Sequence, residues 1–355
     1  MIGRVSHRMI VFLAAVAAAC CAASASAQAA QITTERADER AGLVLRPRLE
    51  RALDAWCRWL SGYLYQIPDT DLYALAPTRG GGANPYRCVA GNPFAAAAAG
   101  YWLARTQPEE HVARPLRGLI KLALGSHLAV KALDRPEIQL WGAGSGFTGD
   151  DWHADLFAAA LGMLAHDALP DEQKDWLRKI LAHEADAQIA HMAAGLRTRP
   201  VLAPNRTCGE SNAWSAALLQ IARLNIRDSQ QLDAWREAAI QYSLNAICTP
   251  DDTTSDQVVA GKPLKDRVQG ANFHPGGIQE HHGFYHPGYM GWPLAYQAFA
   301  ETADRQLPAA ERNPDVYLHN YKRVFDRLKQ GTLANGRFIH AAGDDWITYG
   351  YGNTQ

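Results

Sequence analysis

Asn205-Arg206-Thr207-Cys208-Gly209-Glu210-Ser211-Asn212-Ala213-Trp214 leads into Ala217, Leu218 and Ile221. From Trp214 the apolar residues recur at i, i+3, i+4 and i+7, which aligns them on one face of an α-helix. The same step recurs at Phe157, Ala160, Leu161 and Leu164, behind Asp150 and Asp151 at the N-cap position. Working outward, helices are expected over 43–65, 92–105 and 111–133 and over a fifth segment opened by Pro170-Asp171-Glu172. Two more are expected over 229–247 and 289–303. A ninth starts at Asn313-Pro314, with Tyr317, Tyr321, Val324, Phe325 and Leu328 on one face. No stretch sustains strand alternation. The expected fold class is therefore all-α, with antiparallel hairpins burying their faces against neighbouring pairs. Closing such an array produces an (α/α) toroid without a sizeable β domain. An odd ninth helix leaves the ring incomplete, so the domain, residues 42–355, is expected to be truncated at its C-terminus.

Arg4, His7 and Arg8 precede the apolar run Met9–Ala19, and Ala25-Ser26-Ala27 follows. This is the pattern of a signal peptide over residues 1–27, followed by a linker over 28–41. The run is too short to span a bilayer comfortably. Cys20 and Cys21 suggest a lipoprotein, but alanines stand where leucine is usual. The expected location is the periplasm or the exterior. Past the signal, Cys57, Cys88, Cys208 and Cys248 suit either two disulfides or buried thiols. Apolar residues make up 48% of the chain, enough for a sizeable core, and the formal net charge is −1. Near-neutrality argues against a nucleic-acid binder, although a local basic cleft can still hold an anionic ligand.

The loops hold the reactive residues. Asn272-Phe273-His274-Pro275-Gly276-Gly277-Ile278-Gln279-Glu280-His281-His282-Gly283-Phe284-Tyr285-His286-Pro287-Gly288-Tyr289 concentrates imidazoles and phenols ahead of a helix. Such rings suit proton transfer, and packing alone rarely gathers so many. Near the other motif, Thr207 and Glu210 have capping-box spacing. Asn212 falls in the first helical turn, where a neutral amide can donate to an anionic oxygen, and Asn205 is a second amide at that end. Trp152, in Gly149-Asp150-Asp151-Trp152-His153, suits stacking on a sugar or a place in the core. Gly343-Asp344-Asp345-Trp346 is a fourth acidic cluster.

These motifs resemble the toroid polysaccharide lyases of the heparinase II/III-like group and, more loosely, the hyaluronate and chondroitin lyases. The likeness lies in Asn205…Glu210-Ser211-Asn212-Ala213-Trp214, in Gly277-Ile278-Gln279-Glu280-His281-His282…Tyr289, and in the helical character of residues 42–330. It implies a catalytic asparagine, histidine and tyrosine: Asn212, His282 (or His281) and Tyr289 (or Tyr285). Asn205, Glu210, His281, His286 and Trp152 would line the substrate site. The larger relatives carry a C-terminal β-sandwich, which has no counterpart here.

The implied reaction is β-elimination at a uronic acid, on an anionic polysaccharide and without a cofactor. An amide, Asn212, would stabilise the charge developing on the sugar carboxylate. A phenol lowered in pKa by neighbouring imidazoles, or His282, would take the α-proton. One alternative is a toroid glycoside hydrolase pairing Glu210 with Asp344 or Asp151. A zinc site built from His274, His281, His282 and His286 is less well supported, since neither HExxH nor paired CxxC occurs. The last is a periplasmic protein that binds glycan without turnover.

Overall fold

The computed structural model describes residues 35–75, 86–87, 91–133, 135, 137–145, 152–193, 208–281, 284–333 and 338–339. Helices dominate these residues; the strands are four two-residue pairs, and no sheet closes. The chain divides into two compact units, residues 1–184 and 185–355. The signal-peptide span and Cys88 lie outside the described residues. No described helix is long and apolar enough to cross a membrane.

The first unit contains α1 (Glu35–Tyr63), α2 (Gly91–Leu103), α3 (Glu110–Gly125), α4 (Trp152–Leu164) and the start of α5 (Asp171–Ala193). Helix α1 begins inside the span expected to be linker. The run Ala95–Ala99 is wholly buried, because methyl groups let α2 approach its neighbours closely. Phe94 meets Phe157 of α4 edge-on at 5.0 Å. Strands β1 (Tyr65–Gln66) and β2 (Tyr73–Ala74) form an antiparallel hairpin, and β3 (Tyr86–Arg87) runs parallel to β4 (Ile138–Gln139). Helix α3 stops well short of residue 133. Past it, the Trp141 backbone donates to Ser126 O at 3.1 Å and accepts from Leu128 N at 2.7 Å. A distant segment thus claims the backbone groups that another helical turn would have used.

The second unit contains α6 (Gly209–Asn225), α7 (Leu232–Ala246), α8 (Pro287–Gln306) and α9 (Tyr321–Gln330). Two antiparallel pairs lie between α7 and α8: β5 (Val258–Val259) with β6 (Lys262–Pro263), and β7 (Glu280–His281) with β8 (Phe284–Tyr285). Every residue of α6 from Gly209 to Arg223 is buried. Helix α7 returns antiparallel to α6, so Asn212 in the first turn of one reaches Asn245 in the last turn of the other. Helix α8 runs parallel to α6: Trp214 contacts Trp292 and Tyr296, and further along Gln220 donates to Asp304 at 2.7 Å.

The expected ninth helix is broken. A turn over Pro314–Tyr317 is separated from α9 by Asn320, which has φ 53°. The left-handed residue is held by its side chain, which donates to Ile247 O at 3.0 Å and to Asp252 Oδ2 at 2.8 Å. The single apolar face splits accordingly: Tyr317, Val324 and Leu328 are buried, while Phe325 is exposed and stacks on Tyr321.

Candidate functional site

The first turn of α6 meets the segment leading into α8. Cys208 is the N-cap of α6, so the helix starts one residue later than a Thr207 capping box requires, and Thr207 lies outside the described residues. The Cys208 N–H donates to Asn272 Oδ1 at 2.8 Å, and the Asn272 amide donates to Asn245 O at 2.6 Å. Asn272 thereby ties the histidine-rich loop to α6 and α7 together.

Glu210 is nearly buried, and one of its carboxyl oxygens, Oε2, has no hydrogen-bond partner. Burial pushes its pKa up from 4.5 to about 7, against the opposing pull of its own backbone N–H, the Gln279 amide and the Ser211 hydroxyl. A helix N-terminus favours a carboxylate by at most about 1–2 kcal/mol, whereas desolvation costs several, so desolvation wins. Gln279 is fully buried with its amide facing Glu210, at a geometry in which neither its Oε1 nor its Nε2 completes a hydrogen bond. Close by in sequence, Asn212 Oδ1 and Trp214 Nε1 are likewise buried and unsatisfied. Folded proteins leave few such atoms.

Asn212 does not sit on a rim. It is fully buried, and its Nδ2 donates inward to Asn245 O at 3.4 Å. The α7 backbone thus takes one of the two amide hydrogens expected to face a substrate. Gln279 is the amide that faces Glu210 at this end. Sequence reasoning passed over it inside its own motif, since only packing distinguishes a buried glutamine.

His286 also departs from expectation. It is fully buried as the N-cap of α8, and its Nδ1 accepts from Tyr289 N at 3.4 Å. Its ring packs edge-on against that of Tyr289 at 4.6 Å. Tyr285 pairs with Glu280 across the β7–β8 hairpin and is half-buried. Burial raises the Tyr285 pKa, so the expected depression by neighbouring imidazoles is not seen there. His281 lies in β7 with its side chain outside the described residues; His282, Asn205, Asp151 and Asp344 lie wholly outside them. Trp152 opens α4 in the first unit, its side chain also outside. Among the described residues no three His, Cys, Asp or Glu side chains come together as metal ligands.

Cys57 and Cys248 are free thiols, both buried. Burial pushes the Cys248 pKa up to about 12, and its Sγ donates to Asn245 O at 3.2 Å, which makes it an inert packing group.

The first unit has a buried polar pair that the sequence reading missed. His127 Nε2 and Glu184 Oε1 are 2.9 Å apart with both side chains fully buried. His127 Nδ1 accepts from Ala129 N at 3.0 Å, which assigns the remaining ring proton to Nε2. Glu184 Oε1 also accepts from Ala143 N at 2.8 Å, and Gly142 between these partners has φ 119°.

No family model matches the chain, and no curated protein or solved structure does either.

Proposed function

We propose that this chain is an exported polysaccharide lyase that cleaves uronic-acid-containing glycans by β-elimination. The observation that carries the reading is the buried pair of Glu210 and Gln279, where an acid titrating near 7 stands beside a neutral amide donor. The hairpin of α6 and α7, with α8 parallel to α6, is the unit from which an (α/α) toroid is built.

The proton α to a sugar carboxylate is weakly acidic, because its loss doubles the charge on that group. The Gln279 amide supplies a neutral donor to the carboxylate oxygen as charge develops. Glu210, ionised in about half of the molecules near pH 7, takes the proton. The electron pair left on carbon forms the new double bond and expels the glycosidic oxygen. Tyr289, or Tyr285 with its raised pKa, protonates that oxygen.

The raised pKa of Glu210 also favours a second reading, glycoside hydrolysis with Glu210 as the general acid. Incubation with a panel of uronate polysaccharides separates the two. A lyase generates ultraviolet absorbance from the unsaturated product, while a hydrolase releases reducing ends without it. Binding with neither product would assign the chain to non-catalytic glycan recognition.

A further inference from the structure

Helix α9 presents Arg323 and Arg327, i and i+4, as exposed side chains toward the loop Pro275-Gly276-Gly277. Between loop and helix is a groove of about 330 Å³ lined by Pro275, Gly276, Arg323, Asp326, Arg327 and Gln330. Like charges at this spacing repel.

Neighbouring acids leave the cations largely available. Asp326 pairs with Lys322. Arg323 donates from Nη1 to Thr249 Oγ1 at 3.3 Å and meets Asp251 at 3.7 Å, with the Arg323 and Asp251 side chains well exposed. Arg327 forms no ion pair among the described residues. It is held by neutral groups, donating from Nε to Gly276 O at 2.7 Å and from Nη1 to Gln330 Oε1 at 2.8 Å. These bonds orient the guanidinium without neutralising it, and they leave Nη2 for a ligand. The loop is shaped to the helix: a β-carbon on Gly276 would come within 3.5 Å of Arg327 Nη2. Gly277, at φ 75°, packs against the stem and backbone of Arg323.

We propose that this groove is an anion subsite that takes a sugar carboxylate. Two guanidiniums in one open groove suit a planar carboxylate on a chain passing along the surface. The loop forming the groove continues directly into the segment that carries Gln279. The ligand class rests on the lyase reading, whereas the groove itself rests on the arginines.

The test measures calorimetric binding of an oligogalacturonate and of its fully methyl-esterified form, alongside product absorbance. The native chain is expected to bind the acid about tenfold more tightly than the ester, with the difference shrinking as salt rises. R323Q/R327Q should bring the acid to the level of the ester. Because Arg327 also anchors Gly276, Q330E provides a control that leaves both arginines and the loop bond in place; it should weaken acid binding in the same direction. Equal binding of acid and ester by the native chain, or acid binding unchanged in both variants, would overturn the groove even if absorbance appears. Arginine-dependent binding of the acid, with no absorbance from any polysaccharide of the panel, would uphold the groove and remove the lyase reading.

Discussion

The amide nitrogen of Gln279 lies 3.1 Å from the point where a β-carbon on Gly209 would stand, and the carbonyl oxygen of Ala246 lies 2.9 Å from the same point. The N-terminus of α6 therefore accepts the histidine-rich loop only because position 209 has no side chain. Gly209→Ala should cost about 1–3 kcal/mol, since the backbone carbonyl must move, and it should displace Gln279. Denaturant unfolding combined with the absorbance assay checks both effects.

Gln279 permits a sharper separation of function from stability. Neither amide atom completes a hydrogen bond, and at pH 5 the protonated Glu210 does not call on the amide, so at that pH Gln279→Leu removes little that holds the fold. Its melting temperature there should match or exceed that of the native chain. Turnover should fall by about 10²–10³, the usual loss of one donor to a developing oxyanion. Lower stability with unchanged turnover would make Gln279 a packing residue.

Glu210 should impose a pH dependence on stability. Between pH 4.5 and about 7 the folded protein retains a proton that the unfolded chain has released. Stability therefore falls as pH rises through that window, by on the order of 3 kcal/mol in total. Glu210→Gln should flatten the profile and be the more stable form at pH 8, while losing activity. Denaturation curves at pH 5 and 8 read the difference.

In the first unit, Glu184 Oε1 accepts both bonds, whereas Oε2 has no partner. Glu184→Gln can keep both acceptor contacts through its amide oxygen and should change stability little. Glu184→Ala strands His127 Nε2–H and Ala143 N–H and should cost about 3 kcal/mol. His127 has its pKa lowered, chiefly by burial and against the pull of Glu184. The unfolded chain binds a proton below pH 6.5 that the folded chain resists, so stability declines on acidification below that value. Thermal unfolding of the native chain and H127Q across pH 5–7 measures this slope.

Tyr289→Phe removes only the phenol oxygen and keeps the ring packed on His286. It should abolish the unsaturated product and leave the melting temperature within about 1–2 °C of native. Full activity would pass the proton donor's role to Tyr285.

The helices were legible in the sequence because burying one apolar stripe is a local, periodic requirement. The stripes at Phe157–Leu164 and Trp214–Ile221 both lie inside helices of the folded chain. Their ends were less legible: α3 yields its last turns to Trp141, and Asn320 breaks the expected ninth helix because Ile247 and Asp252 hold it. The motif around Glu210 and the loop before Tyr289 also stood out in the sequence, as unusual gatherings of titratable groups. Which of their atoms stay unused was decided by tertiary structure alone. Asn212 and Gln279 carry the same amide, yet the carbonyl at the end of α7 takes a hydrogen of the first while the second faces Glu210. Desolvation and hydrogen bonding depend on distant neighbours, and residue spacing along the chain carries no record of them.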